Sequence, residues 1–336
     1  MTTRGLTTSA GRTEGRAAPV ARFRWRRDPS LPIYIMTLVV VVVASACSPT
    51  FRRPYNLSNV AVQTVALGLA SLGQTFAILA GDVDLCVGGV ISLTTVISAT
   101  LMGDDVLTIL CVVALCLVLG AAMGAINGLL ASRLRMDAMV ITFATNSVLM
   151  GVALHLMPAP GGMVPYSYMR LVDVTVLQIP TPVVLLVAFT VLSNYVLNRT
   201  VLGLHIRAVG GDRAAAFRSG INVTTTKIWA HIVACMFGAM AGLFLAARMG
   251  SGDALAGTPF SLDSMTAVIA GGTNFASGTG DVAGTLTAAF LITVLGNIFN
   301  HLGVSTYFQY VFKGVLLVIA VAGGAMRRKM QVRARR

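Results

Sequence analysis

From Leu31 to Ala325 the chain is a succession of apolar runs separated by short polar breaks. Runs of about 18 to 25 residues are long enough to cross the hydrocarbon core of a bilayer as helices. Hydrocarbon gives the backbone no outside hydrogen-bond partner, so such a chain folds as a helical bundle. Ten runs stand out: Leu31–Ser48, Leu57–Ala80, Leu85–Gly103, Val106–Ser132, Ala138–Met157, Pro182–Leu197, Ile228–Ala247, Leu262–Gly272, Gly284–Leu302 and Phe308–Ala325. The eighth is too short to span as it stands; it needs residues before Leu262, or else it is re-entrant. Residues 56% hydrophobic and 11% charged exclude a water-soluble domain, where about 25% would be charged. The expected fold is an all-α polytopic bundle of about ten spans. A basic tail (1–30) precedes the membrane domain (31–325), and a second basic tail (326–336) follows it.

A net charge of +13 raises the question of nucleic acid, and the positions of the charges answer it. Seven arginines fall in the first thirty residues, Arg4, Arg12, Arg16, Arg22, Arg24, Arg26 and Arg27. Six basic residues crowd the last ten, and five more (Arg199, Arg207, Arg213, Arg218 and Lys227) share one polar stretch. Lys and Arg collect in loops that stay on the cytoplasmic side. With both termini inside, ten spans also place Arg133, Arg135 and the stretch from Asn198 to Lys227 inside. The segment Pro158–Thr181 then lies outside, and Arg52 with Arg53 is the exception. Anionic lipid is the partner such clusters suit, and no nucleic-acid site is expected. The basic leader raises the possibility of a signal peptide. The leader is long and no small-x-small site follows it, so the first run reads as an uncleaved helix.

Polar residues kept within apolar spans face other helices or a watery path. Here they are Gln63, Gln74, Asn127, Asn146, His155, His231, Asn297, Asn300 and Lys313. Lys313 is expected to snorkel to the outer interface; His155 and His231 suit packing or function equally. Asn127, Asn146, Asn274 and Asn297 are the candidates for a translocation pathway, by span position and hydrogen-bonding capacity. The acids avoid span centres: Asp82 and Asp84 lie in a short break, Asp104 and Asp105 in a turn, Asp281 in a Gly-rich loop. That weakens a proton-coupled mechanism. Gly124 and Gly128, with Gly120 one turn earlier, form a stripe that lets helix backbones approach closely. The five cysteines lie in or beside apolar runs without metal spacing, and no metal site is expected. Ala77–Gly81 and Ala267–Gly271 each lead from an apolar run into a polar break, a pattern that internal repeats in transporters produce.

No phosphate-binding G-x-x-x-x-G-K-[ST], H-E-x-x-H or G-x-S-x-G occurs, so the chain is not expected to be an enzyme. If ATP drives it, another polypeptide must hold the nucleotide. The stretch His205–Ile221 is where such a partner could act. It reads as a strand-like lead-in, a turn at Gly210 and Gly211, a short helix capped by Asp212 through Ala214–Ala216, and a stop at Gly220. Phe217 is the apolar anchor, and a solvated loop is the plain alternative.

At this stretch the sequence resembles the cytoplasmic coupling loop of ABC-transporter permeases of the ribose/xylose type, roughly A-x-G-G-N-x-x-A-A-x-x-S-G-I. Ala208, Gly210, Gly211, Ala215, Ala216, Ser219, Gly220 and Ile221 match, with Asp212 in place of Asn. Ala80–Gly88 is similar to that family's G-G-I-D-L-S-V-G. Ala267–Thr273 with Gly278, Gly280 and Gly284–Leu286, and Leu302–Ser305 with Tyr307, Gln309 and Lys313–Val315, match in the same order. The four motifs span about residues 57 to 322. The resemblance implies an importer of two permease subunits, identical or not, two cytoplasmic ATPases holding Mg-ATP, and a solute-binding protein that delivers a monosaccharide from outside a bacterial inner membrane. It implies that residues about 205–222 seat in the ATPase, and it marks Asp82, Asp84, Gly88, Gly271, Gly272 and Thr273 at helix breaks. The chain departs from the family at Thr142-Phe143-Ala144 and Met150-Gly151, which lack its Gly and Arg. Asp82 also replaces a usual Gly, and Cys86 a usual Ser. These departures bear on the solute and would suit one half of a heterodimer. Nucleosides or branched-chain amino acids are the alternative cargo, and an ion-coupled transporter is the alternative class.

Overall fold

A computed structural model describes residues 30–312 apart from 135, 177, 178, 275, 276 and 306, together with 314, 315 and 318. Residues 1–29, the tail 326–336, Arg135, Lys313 and most of the tenth expected span lie outside the described residues. The described residues are mostly helical. In order come α1 (Leu31–Cys47), α2 (Pro54–Leu79), α3 (Val87–Leu101), α4 (Val106–Arg133), α5 (Ala138–Leu156) and α6 (Tyr166–Asp173). Two-residue strands β1 (Thr175–Val176) and β2 (Ile179–Pro180) pair antiparallel. Then follow α7 (Thr181–Arg199), α8 (Val201–Gly211), α9 (Arg213–Arg218), α10 (Val223–Met249), α11 (Phe260–Ala270) and α12 (Val282–His301).

Six of these, α2, α4, α5, α7, α10 and α12, are long and apolar enough to cross a membrane. Burial separates them into an inner and an outer set. In the most apolar window of α2, 89% of residues are buried, against 17% in α4 and 22% in α5 and α7. The inner helix is also the one rich in Gln, Asn, Thr and Ser, whereas α4 is the most apolar of the six. That ordering is what lipid demands, since polar side chains must turn toward protein and apolar ones can face acyl chains.

The third and eighth expected spans form helices shorter than these six. Leu85–Gly103 yields a 15-residue helix beginning only at Val87, because residues 81–86 form a break. Leu262–Gly272 begins two residues earlier than expected, at Phe260, and is still 11 residues long, about 16 Å. Turns occupy the residues before it, so it gains no length upstream. Both α2 and α11 close with a glycine in the left-handed region, Gly81 at φ 83° and Gly272 at φ 95°. At each, the next amide reaches back five residues, Asp82 to the Ala77 carbonyl and Thr273 to the Val268 carbonyl. The equivalence is therefore Gly81 with Gly272, one residue out of step with the sequence pairing of Gly81 with Gly271. Gly220 and Gly303 end α9 and α12 by the same closure. A shared cap is thus no mark of a repeat in this chain.

At the centre, α10 packs along α4, α2 and α3, while α12 packs on α2, α11 and α1. The contact of α4 with α10 is backbone to backbone. Gly120 lies against the Cys235 carbonyl, Gly124 against His231 and Ile232, and Gly128 against the Ile228 Cα. The stripe is spaced by four, so it stays on one face of α4 over two turns. Lys227, His231 and Cys235 have that spacing too, on α10. The close approach fixes how far along α4 these side chains stand.

A Cβ branch at Gly124 has no room between the two helices. Gly124→Val is expected to lower stability by about 1–3 kcal/mol, read as a lower unfolding midpoint of the detergent-solubilised protein. An unchanged midpoint would show that the helices are not held this close.

Candidate functional site at a buried helix break

The break between α2 and α3 carries two acids into the interior. Asp82 is 8% exposed and Asp84 is fully buried. Buried charge needs an opposite charge and hydrogen bonds, and α10 supplies both from one face. The Lys227 ammonium donates to Asp82 Oδ1 at 2.5 Å and is itself 3% exposed. One turn on, His231 Nδ1 lies 2.7 Å from Asp84 Oδ2, and its Nε2 lies 3.5 Å from Asp82 Oδ2. A further turn on, Cys235 Sγ donates to Asp84 Oδ2 at 3.6 Å. Two acids on the break face two basic side chains on one helix.

The backbone of the break is provided for as well. Asp84 Oδ1 accepts the Cys86 amide at 2.9 Å, and Thr142 Oγ1 of α5 accepts the Leu85 amide at 3.1 Å. The Ser261 hydroxyl of α11 donates to the Leu85 carbonyl at 2.9 Å. With its amide oriented to satisfy both groups, Gln74 spans Asp84, donating to the carbonyl at 2.9 Å and accepting from the N–H at 3.2 Å. Gly88 lies so close to Ser261 and the Gly257 carbonyl that a side chain there would collide with both. Four helices therefore meet at six residues of irregular chain.

One set of side chains among the described residues has the reach of a metal site. Asp84, Cys86 and Cys235 each place a ligand atom within 4.8 Å of the others. The Asp84 carboxylate already holds the Cys86 amide, His231 and Cys235. Those hydrogen bonds hold the carboxylate in place.

The four asparagines chosen as pathway candidates are not brought together. Asn127 is buried between α4 and α5, accepting from the Thr145 hydroxyl at 2.7 Å. Asn146 fixes the start of α3 by accepting the Gly89 amide at 2.7 Å. Asn297 of α12 exchanges two amide bonds of 3.2 Å with Asn56 of α2. Asn274 bridges by backbone to Thr279 in the loop after α11. They serve four separate joints. At that second break Gly271 packs backbone to backbone on Gly284, and Thr273 is buried against Gly280.

The expected coupling stretch is helical nearly throughout. The strand-like lead-in and the turn at Gly210 and Gly211 are not found, because α8 runs from Val201 to Gly211 and the chain turns at Asp212. Gly210 serves a close approach: a side chain there would run into the Leu79 carbonyl at the end of α2. The short helix α9 forms as expected. Asp212 caps it, accepting the Ala214 and Ala215 amides at 2.8 and 2.9 Å, and Gly220 stops it at φ 82°. Those amides, Ala215 first, hold the Asp212 carboxyl below its usual value, so the cap stays charged through the neutral range. Ala216 faces the bundle, whereas Arg213, Ala214, Phe217 and Arg218 form the open side, Phe217 being 73% exposed. Ser219, after the last turn, is exposed too. Arg207 ties α8 down, donating to the carbonyls of Leu197 and Gly280 at 3.3 Å and to Asn198 at 2.9 Å.

Residues 56–321 match the family described as branched-chain amino acid transport system / permease component. The chain belongs to that family. This permease is 35% identical to the ribose import permease protein RbsC of Escherichia coli K12 over 85% of its own length and 91% of the relative's. It is 34% identical to the ribose import permease protein of Bacillus subtilis 168, covering 86% and 90%. The D-allose transport system permease protein AlsC of Escherichia coli K12 is 30% identical over 86% and 89%. No solved structure matches the chain. With six helices suited to crossing, the permease is a multi-pass inner-membrane protein.

Sequence reasoning placed Lys227 among cytoplasmic loop charges, and the permease instead buries it against Asp82. The signal was present, since Lys227, His231 and Cys235 recur every four residues. Asp82→Asn keeps the shape of the acid and strands the buried ammonium, with an expected loss of about 3–5 kcal/mol. Lys227→Met in the same background should recover most of it. Denaturant unfolding of the solubilised protein reads both, and a single variant as stable as the parent would rule the pairing out.

Proposed function

We propose that this chain is the translocating subunit of an ATP-driven monosaccharide importer. The observation that carries the reading is the set of relatives: ribose, D-allose and L-arabinose permeases, each matched over 85% or more of this chain and 89% or more of their own length. The description of the family names branched-chain amino acids, which makes those the competing cargo. Two permease subunits, identical or not, two cytoplasmic ATPases holding Mg-ATP and an external solute-binding protein make up the proposed assembly. The membrane domain takes residues 31–325 in ten spans, with both basic tails in the cytoplasm.

In this reading α8 and α9 are the ATPase seat. Support comes from the pre-formed, capped α9 with its exposed Phe217 flanked by Arg213 and Arg218. Gly210, Gly211, Asp212, Ala215, Ser219 and Gly220 shape the segment, and Ala216 anchors it. Asp82, Asp84, Gly88, Gly271, Gly272 and Thr273 shape the two breaks. Asn127, Asn146, Asn274 and Asn297 are the candidates for the translocation path. The chain itself binds no nucleotide and performs no chemistry.

Uptake into inside-out-controlled proteoliposomes carrying the whole assembly, offered D-ribose, D-allose, D-galactose, L-arabinose or leucine, tests the cargo. One of the sugars should accumulate only with ATP. Accumulation of leucine alone, or uptake that survives ATP depletion while an ion gradient remains, would overturn the reading. Phe217→Asp should cut ATP hydrolysis stimulated by transport about tenfold or more, the size of a lost interface anchor, with membrane insertion intact. Stimulation at the parental rate would remove α9 from the seat.

A further inference from the structure

The acid Asp82 has two basic partners in reach and uses them unequally. Its Oδ1 takes the Lys227 ammonium, while its Oδ2 is fully buried and has no hydrogen-bond partner. Facing that oxygen at 3.5 Å is His231 Nε2, which is likewise buried and makes no hydrogen bond. Lys227 and His231 stand one turn apart on α10. A shift of α10 along its axis by up to a turn, about 5.4 Å, exchanges one partner for the other. Intermediate positions leave the acid poorly paired in the interior, so the two pairings form discrete alternatives.

The segment that would drive such a shift is attached at both sides of the break. On one side α9 ends at Gly220, and Asn222 already caps α10 by accepting the Thr225 amide at 3.0 Å. Lys227 lies in the first turns of α10, so a displacement of α9 reaches it through rigid helix. On the other side Gly210 of α8 abuts the Leu79 carbonyl, the last residue of α2 before the break. The same helix holds the second break, through Arg207 on Gly280 and through the backbone contact of Arg207 and Gly211 with Gly278. Motion of α8 and α9 thus bears on α10 and α2 in opposite halves of one ion pair.

We infer that Asp82, Lys227 and His231 are positioning residues for transport: Asp82 exchanges Lys227 for His231 as the α8–α9 segment moves, and the exchange resets the break at residues 81–86. The inference rests on α8 and α9 being the ATPase seat. It assigns the break a driven conformational change and assigns the buried charges a role apart from stability. Neutralising the pair should then preserve the fold and abolish the response.

The native thiols Cys86 and Cys235 lie in the cluster and report on it. The test uses the full assembly in proteoliposomes with Cys47, Cys111 and Cys116 replaced by Ala, and follows N-ethylmaleimide labelling of the remaining pair. Trapping with Mg-ATP and vanadate should change the labelling rate about fivefold or more, the lower range of an allosteric coupling. The variant Asp82→Asn with Lys227→Met should still co-purify with the ATPase and label at one rate with or without nucleotide. A nucleotide response in that double variant equal to the parent's overturns the inference, because a purely structural pair would behave so. Absence of any response in the parent overturns it too. Failure of the parent to co-purify with the ATPase would sink the seat reading, and this inference with it, whereas the first two outcomes leave the seat standing.

Discussion

A helix interrupted inside a membrane protein must hand its free amides and carbonyls to protein, because acyl chains accept none. Residues 81–86 are such an interruption, and the rest of the bundle is arranged around meeting their needs. Gln74 of α2, Thr142 of α5 and Ser261 of α11 take the backbone of Asp84 and Leu85. Lys227 and His231 of α10 take the two carboxylates. The glycine stripe of α4 matters for the same reason, since it sets the depth at which Lys227, His231 and Cys235 stand opposite the acids.

Much of this was legible in the residues, and the exceptions have physical causes. Hydropathy located every long helix and the cap at Asp212, since apolar length and capping chemistry are local properties. It overestimated α3 because Leu85, Cys86 and Val87 look like the start of an apolar run. They look so for a good reason: the break is buried, and only Asp82 and Asp84 betray it. Lys227 was misplaced because a lysine at the edge of an apolar run reads as a loop charge unless its partner is known, and that partner is 145 residues away.

Glycine carried the other ambiguity. Gly210-Gly211 suggested a turn, and the same residue type also permits contact between backbones, which is its use against Leu79. Sequence cannot choose between the two uses without the neighbouring helix. The pathway asparagines carry a related ambiguity. A polar residue in a span needs a partner, but the sequence does not say whether that partner is cargo or another helix, and Thr145, Gly89 and Asn56 proved to be the partners for three of the four.

The joining of α4 to α10 reaches beyond the protein. At 28 residues α4 is about 42 Å long, longer than a hydrocarbon layer of about 30 Å, a mismatch that helices meet by tilting, kinking or thickening the bilayer. Most of its surface faces outward, and its glycines leave no layer of side chains to absorb a change of angle against α10. A change in the angle of α4 is therefore passed to α10. In the proposed exchange at Asp82, the angle that lipid imposes on α4 would then bear on the register of the ion pair.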